Sequence, residues 1–283
     1  MKLASFQHAG TRSWGVVLDA ETIADTGSVL AGTYPDLKAA IAAISHQEII
    51  AAVARAPHYP LTAITWLPVI PNPARILCVG VNYDSHRREM GREEVPYPTI
   101  FTRWASSQIG HQQPLLLPRV SSSLDFEGEL AIVVGKSGRY IPAAAAFDHI
   151  AGYSCYHDGS VRDWQRHTTQ FTPGKNFPGT GGFGPWLVTR DEILDGEPLR
   201  LTTTLNGEIV QDATTDMMIC SIPRIIEYCS SFTPLEPGDV IATGTPGGVG
   251  AARQPPLFMK PGDIAVVEIE KIGRLVNPVA AEA

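Results

Sequence analysis

Two glutamates one residue apart, Glu127 and Glu129, sit in the most chemically loaded segment of the sequence, Asp125-Phe126-Glu127-Gly128-Glu129-Leu130-Ala131-Ile132-Val133-Val134. Side chains alternate along a strand, so the two carboxylates share one face. Phe126, Leu130, Ile132 and Val134 take the other. Like charges this close raise each other's cost of ionisation. A hard divalent cation removes that conflict, because carboxylate oxygens suit Mg²⁺, Mn²⁺ or Ca²⁺. The same spacing also fits a solvent-facing strand with two ordinary acids, or an acid/base carboxylate pair for glycoside chemistry.

A third acid strengthens the cation reading. Tyr156-His157-Asp158-Gly159-Ser160-Val161-Arg162-Asp163-Trp164-Gln165 crowds polar groups between apolar residues. Asp158 completes a three-carboxylate set. Arg162 and Gln165 follow at helical spacing and offer donors to an anionic ligand beside the metal. The competing reading is the start of a surface helix with Asp158 as its cap. A His-Asp metal phosphohydrolase would need further histidines on flanking helices, and the segment has none.

His86 and Glu89, in Asn82-Tyr83-Asp84-Ser85-His86-Arg87-Arg88-Glu89-Met90, are neighbours on a helical turn. A glutamate there fixes one imidazole nitrogen and leaves the other to take a proton from water. The alternative is a mobile polar loop, ordered only when substrate binds. Lys175 lies in an aromatic turn, Phe171 to Phe177, where an ammonium can meet a carboxylate or a developing enolate. Thr243-Gly244-Thr245-Pro246-Gly247-Gly248-Val249-Gly250 is glycine-rich but lacks the Gly-Lys-Ser/Thr ending of a phosphate loop. Its backbone can approach a ligand closely, with the Thr245 hydroxyl as a donor.

These residues need a scaffold. Leu3–Phe6 and Trp14–Leu18 read as a hairpin, and Pro35–Arg55 as helix, with a break near His46. Pro57, Pro60, Pro68, Pro71 and Pro73 mark a connector, which puts a domain boundary near residue 72. Beyond it strands dominate: Ile76–Gly80, Leu130–Val134 and a hairpin turning at Asn206-Gly207. Ser221–Phe232 reads as a helix with Pro223 in its first turn. Glu236-Pro237-Gly238-Asp239 and Lys260-Pro261-Gly262-Asp263 each predict a type II turn leading into a strand. The class expected is α+β and β-rich.

The chain has 283 residues, 44% hydrophobic and 18% charged, with net charge −7. An acidic chain lacks the basic footprint of a nucleic-acid binder and charge attraction to anionic membrane. No apolar run reaches the length of a membrane span, and the N-terminus does not read as a signal peptide. The expectation is a cytoplasmic protein. Cys78, Cys155, Cys220 and Cys229 are scattered, as buried reduced thiols would be.

Taken in order, Val79 to Glu89, Asp125 to Leu130, Asp158 to Gln165, Lys175, Asn206 to Glu208 and Thr243 to Gly250 resemble the fumarylacetoacetate hydrolase family, in particular its small bacterial members with acylpyruvase or hydroxyheptadienedioate isomerase activity. The resemblance runs from about Arg75 to the C-terminus. It implies a mixed β-roll or β-sandwich catalytic domain over residues 73–283, a small N-terminal α+β domain over 1–72, and a homodimer. It implies Mg²⁺ or Mn²⁺, with Ca²⁺ as a further candidate, held by Glu127, Glu129 and Asp158. It assigns His86 and Glu89 to water activation, Lys175, Gln165 and Arg162 to the substrate's oxo and carboxylate oxygens, and Thr245 to the substrate carboxylate.

The implied substrate is a small anionic 2-oxo acid. The leading expectation is hydrolysis of a C–C bond in a 2,4-dioxo acid such as an acylpyruvate. The alternative is decarboxylation or tautomerisation of an oxaloacetate-like or hydroxymuconate-like diacid, which needs no water attack. A non-catalytic binding protein on the same fold is a third. The sequence departs from the family pattern at Val81, at Arg103-Trp104 and at His157, positions expected near the substrate's tail.

Overall fold

The strand carrying the two glutamates explains most of the architecture. The computed structural model describes all 283 residues, and in it Gly128–Val134 is buried along its full length. Ile150–Asp158 and Val240–Ala242 flank it antiparallel. Leu130, Ile132 and Val134 pack with Ile225, Ile226 and Leu275 in one core. Ala131 and Val133 pack with Trp14, Leu37 and Ile49 in another. The strand therefore has no solvent face, and its β-branched run suits a position covered on both sides.

The molecule is mixed α+β and strand-rich, as its sequence implied. The large sheet has twelve strands. Its main path runs His58–Pro60, Thr22–Ala24, Thr11–Val17, Lys2–His8, Gly181–Thr189, Ile150–Asp158, Gly128–Val134, Val240–Ala242, Ile76–Gly80 and Thr99–Arg103. A five-stranded sheet, Glu208–Thr214, Arg200–Leu205, Ile264–Ile269, Gly273–Ala281 and Leu115–Leu117, makes a second layer. Leu275, Leu201 and Val267 from this layer fill the first core.

The N-terminal hairpin forms as read, with Leu3 opposite Val16 and Phe6 opposite Ser13. Its first strand also pairs with Gly181–Thr189, Lys2 opposite Val188, so the N-terminal residues extend the large sheet. The helical stretch is split: Leu37–Ala43 is capped by Asp36, and His46–Val53 starts with a capping box between Ser45 and Glu48. The proline-rich stretch holds more structure than a connector. His58–Pro60 closes the edge of the large sheet and Thr65–Trp66 pairs with Lys2–His8. An edge strand tolerates proline because its outer N–H groups have no partner to lose.

The turns follow residue chemistry. Asn206 and Gly207 have φ of 53° and 86°, the two left-handed positions that a tight hairpin needs. Gly238 and Gly262 take φ of 83° and 96° in the two Pro-Gly turns, each just before a strand. Ser221 precedes the helix Ile222–Phe232 in extended conformation, but its hydroxyl makes no capping bond. No helix is long and apolar enough to cross a membrane.

Candidate metal centre and active-site cavity

Asp158 is the last residue of the strand Ile150–Asp158, not the start of a helix. Gly128 stands opposite His157 in the ladder, and Asp158 donates its N–H to the Glu127 carbonyl at 2.8 Å. Strand pairing thus delivers Asp158 to the two glutamates. One carboxylate oxygen from each of Glu127, Glu129 and Asp158 lies within 4.8 Å of the others, and all three residues are buried.

Gly128 between the glutamates is there for space. A Cβ at this position would stand 2.1 Å from Thr203 Oγ1. Its N–H donates to Gln211 Oε1 and its carbonyl accepts from Thr245 Oγ1. Gln211 Nε2 in turn donates to Thr245 Oγ1 at 2.8 Å and to the Pro246 carbonyl. Gly244 takes φ +101°, and its N–H donates to Glu129 Oε2 at 2.8 Å. The glycine-rich loop therefore closes over the carboxylates with its backbone, and the hydroxyl proton of Thr245 is spent on Gly128 rather than turned to the cavity.

Four buried carboxylates meet three buried cations here. Arg162 Nε donates to Asp125 Oδ2 at 2.7 Å. Its Nη2 lies 2.7 Å from Glu127 Oε1, an ion-pair contact off the hydrogen-bond axis. Lys175 Nζ donates to Glu127 Oε2 at 2.6 Å and to Asp158 Oδ2 at 2.5 Å. Arg103 Nη1 donates to Asp158 Oδ1 at 2.5 Å. Glu129 has no cationic side chain within ion-pair distance.

The electrostatics follow from that arrangement. Burial would raise Glu127, but the Lys175 ammonium and the Arg162 guanidinium hold it below the usual carboxylate range. Burial, then the Asp158 and Glu127 charges, push Glu129 well above that range. Burial works against the charged forms of Lys175 and Arg162, but the facing carboxylates keep both strongly basic. An all-oxygen donor set with one under-compensated carboxylate fits a hard divalent cation such as Mg²⁺ or Mn²⁺.

Glu127 and Glu129 form part of the wall of a cavity of about 740 Å³, with Asp158 buried behind them. His86 and Thr245 line it, with Arg162, Gln165 and Lys175. His86 lies on the helix Asp84–Glu89, and its Nδ1 is 2.7 Å from Glu89 Oε1. Glu89 Oε2 accepts the Gly248 N–H at 2.8 Å, which ties the helix to the glycine-rich loop. The segment read alternatively as a mobile loop is thus a docked helix. With Nδ1 committed to Glu89, Nε2 is the ring nitrogen left for a ligand. Gln165 Oε1 accepts from Arg162 Nη1 at 2.9 Å, so its NH₂ group remains free to donate.

The tail positions divide. Val81 lines the cavity, in the left-handed region at φ 58°. Arg103 does not; it is buried beneath Asp158. Nor do exposed Trp104 and buried His157. Both His157 nitrogens lack partners, and burial, then the Arg103 charge, lower it to about 4.

Three supporting residues were missed in the sequence. Asp125 accepts from Arg162 and from the N–H groups of Gly250 and Ala251. Asn82 ties the Cys220 backbone to the Thr243 carbonyl. Gln211 is the third. Asp125 and Asn82 stand inside the segments already singled out, a usable signal; Gln211 carries none.

The family description "Fumarylacetoacetate (FAA) hydrolase C-terminal" matches residues 75–280. Oxaloacetate tautomerase FAHD2A, mitochondrial, of Bos taurus is 41% identical over 225 residues, covering 79% of this chain and 72% of that protein. Oxaloacetate tautomerase YisK of Bacillus subtilis is 41% identical over 225 residues, covering 78% and 75%. Among solved structures, the fumarylacetoacetate hydrolase of Exiguobacterium antarcticum superposes with a TM-score of 0.87 at 33% identity over the whole of both chains. Maleylpyruvate hydrolase from Sphingobium sp. SYK-6, in complex with manganese(II) ion and pyruvate, gives 0.84 at 29% identity, also over both whole chains.

Proposed function

The chain belongs to the fumarylacetoacetate hydrolase family, and from that premise we propose that it is a divalent-cation-dependent tautomerase of oxaloacetate-like dicarboxylic 2-oxo acids. The observation that carries this is the match at 41% identity to two oxaloacetate tautomerases, one of cattle and one of a bacterium. It moves the leading activity from C–C hydrolysis, first expected from the His86–Glu89 pair, to the alternative that needs no water.

Glu127, Glu129 and Asp158 would hold the cation, which when bound polarises the 2-oxo oxygen. His86 Nε2 takes a proton from C3, and Glu89 on Nδ1 stabilises the resulting imidazolium. Lys175 donates to the oxyanion that develops at the 2-oxo oxygen. The imidazolium returns its proton to that oxygen, and the ketone has become the enol with no atom gained or lost. Gln165 and Arg162 orient the near carboxylate. Arg92 and Arg166 line the cavity without an ion pair of their own and suit the distal carboxylate, beside Glu93 and Glu94 on the same rim.

The test follows the absorbance of enol oxaloacetate with Mg²⁺ or Mn²⁺, with EDTA, and with His86→Gln. Interconversion faster than background, lost in EDTA and in the variant, is expected. A rate equal to background overturns the proposal. Hydrolysis of an acylpyruvate is the second reading, favoured by the likeness to maleylpyruvate hydrolase. Cleavage of acylpyruvates with no effect on oxaloacetate would establish it instead.

A further inference from the structure

Arg103 is the one buried cation of the site that touches neither the cavity nor Glu127. It ends the strand Thr99–Arg103, and its side chain has no exposed surface. Nη1 donates to Asp158 Oδ1 at 2.5 Å and to the Gly159 carbonyl at 3.0 Å. Nη2 donates to Thr180 Oγ1 at 2.7 Å, and Thr180 Oγ1 donates to the Phe177 carbonyl. Nε is 3.4 Å from Ser107 Oγ. The guanidinium is therefore held from three sides before it meets the carboxylate.

The backbone is shaped around it. A Cβ on Gly181 would stand 2.9 Å from Arg103 Nη2. A Cβ on Gly159 would stand 2.1 Å from the Thr180 carbonyl. Asp158 is thus divided: Oδ1 meets Arg103, and Oδ2 meets the Lys175 ammonium, which also holds Glu127 Oε2. A carboxylate with one oxygen pinned cannot rotate freely about its last torsion, so the other oxygen keeps its direction. A compact ammonium cannot reproduce this fork.

We propose that Arg103 is a positioning residue that aims Asp158 Oδ2 at the Glu127–Glu129 pair and thereby sets the affinity of the site for a divalent cation. The proposal rests on the reading that these three carboxylates hold such a cation. Outer-shell partners of ligating carboxylates characteristically change metal affinity by about 10–100-fold when lost.

The experiment titrates Mn²⁺ into metal-stripped full-length protein and reads free Mn²⁺ by electron paramagnetic resonance. Arg103→Lys is expected to weaken binding about tenfold or more. Its oxaloacetate turnover should recover at saturating Mn²⁺, which separates affinity from chemistry. Thr180→Val leaves Arg103 in place and removes one of its anchors; it should lower affinity in the same direction, by less. If Arg103→Lys does not fold, Thr180→Val decides alone. Wild-type Mn²⁺ affinity in Thr180→Val and in any folded Arg103→Lys overturns the proposal. Asp158→Asn is the control for the underlying reading: if it too binds Mn²⁺ as wild type, the three-carboxylate site itself is wrong. If it loses Mn²⁺ while the Arg103 and Thr180 variants keep it, only the role of Arg103 fails.

Discussion

Gln211 Nε2 donates to Thr245 Oγ1 across 2.8 Å, both side chains buried. Gln211 comes from Glu208–Thr214 in the five-stranded sheet and Thr245 from the glycine-rich loop, so the bond joins two layers directly behind Gly128. Replacing Gln211 with Leu leaves the Gly128 N–H and the Pro246 carbonyl without partners. Buried groups left in this way cost about 1–3 kcal/mol each. Gln211→Leu should therefore lower stability to urea by a few kcal/mol and slow turnover, although Gln211 does not line the cavity. Thr245→Val should do both. Chemical denaturation in EDTA, compared with turnover at saturating Mn²⁺, measures the two effects separately.

Glu129 is the carboxylate whose only polar contact is the Gly244 N–H. Burial and the neighbouring Asp158 and Glu127 charges already disfavour its ionised form. Glu129→Gln removes a buried carboxylate that no cation pairs directly. In EDTA the variant should be as stable as the wild type, or more so. The stabilisation that Mn²⁺ gives the wild type, which follows RT ln(1 + [L]/Kd), should largely disappear. Thermal unfolding with and without Mn²⁺ reads both outcomes at once, and a variant stabilised by Mn²⁺ as much as the wild type would remove Glu129 from the site.

Lys175 predicts the opposite pattern. Its ammonium bridges Glu127 and Asp158, and Lys175→Met leaves Glu127 with Arg162 alone and Asp158 with Arg103 alone, so one oxygen of each buried carboxylate loses its cation. Removing one partner of a buried ion pair typically costs about 3–5 kcal/mol. The variant should unfold at clearly lower urea in EDTA, and Mn²⁺ should recover part of the loss by supplying positive charge among the same oxygens. Tautomerisation should stay low even at saturating Mn²⁺, because the donor to the developing oxyanion is gone. A variant with full turnover would show that the lysine only balances charge.

How far the site was legible follows from how each residue is brought in. Glu127 and Glu129 share a face through the two-residue period of one strand, which sequence displays. His86 and Glu89 share a helical turn, which it also displays. Asp158 arrives by the register that puts Gly128 opposite His157, and no local pattern encodes a register; its polar surroundings suggested a third carboxylate but left the cap of a surface helix open as the competing reading. Arg103 and Gln211 come from strands whose own sequences are unremarkable, and their partners lie 55 and 83 residues away. The alternation along Phe126–Val134 suggested one core face, whereas Ala131 and Val133 are buried too. Their cover comes from Trp14, Leu37 and Ile49, a tertiary fact that periodicity within one strand does not hold. For the same reason Arg103 was expected near the substrate and is found under a carboxylate.

The pH dependence of stability can be tested away from the site, at His111. Its Nδ1 accepts the Val276 N–H at 3.1 Å, and its ring meets Trp66 edge-on. An accepting Nδ1 must be unprotonated. Burial, then the Arg274 charge, lower the imidazole from 6.5 to about 4. The unfolded chain then binds more protons than the folded one between these values, so stability rises with pH across that window. Stability from the neutral ring is complete above pH 6.5 and is lost as pH falls towards 4. The limiting slope for one such group is about 1.4 kcal/mol per pH unit. His111→Asn keeps an acceptor for Val276 N–H and cannot titrate. Urea unfolding at pH 7, 6 and 5 should show wild-type stability falling more steeply than that of the variant, and parallel slopes would mean that His111 is not held neutral by the fold.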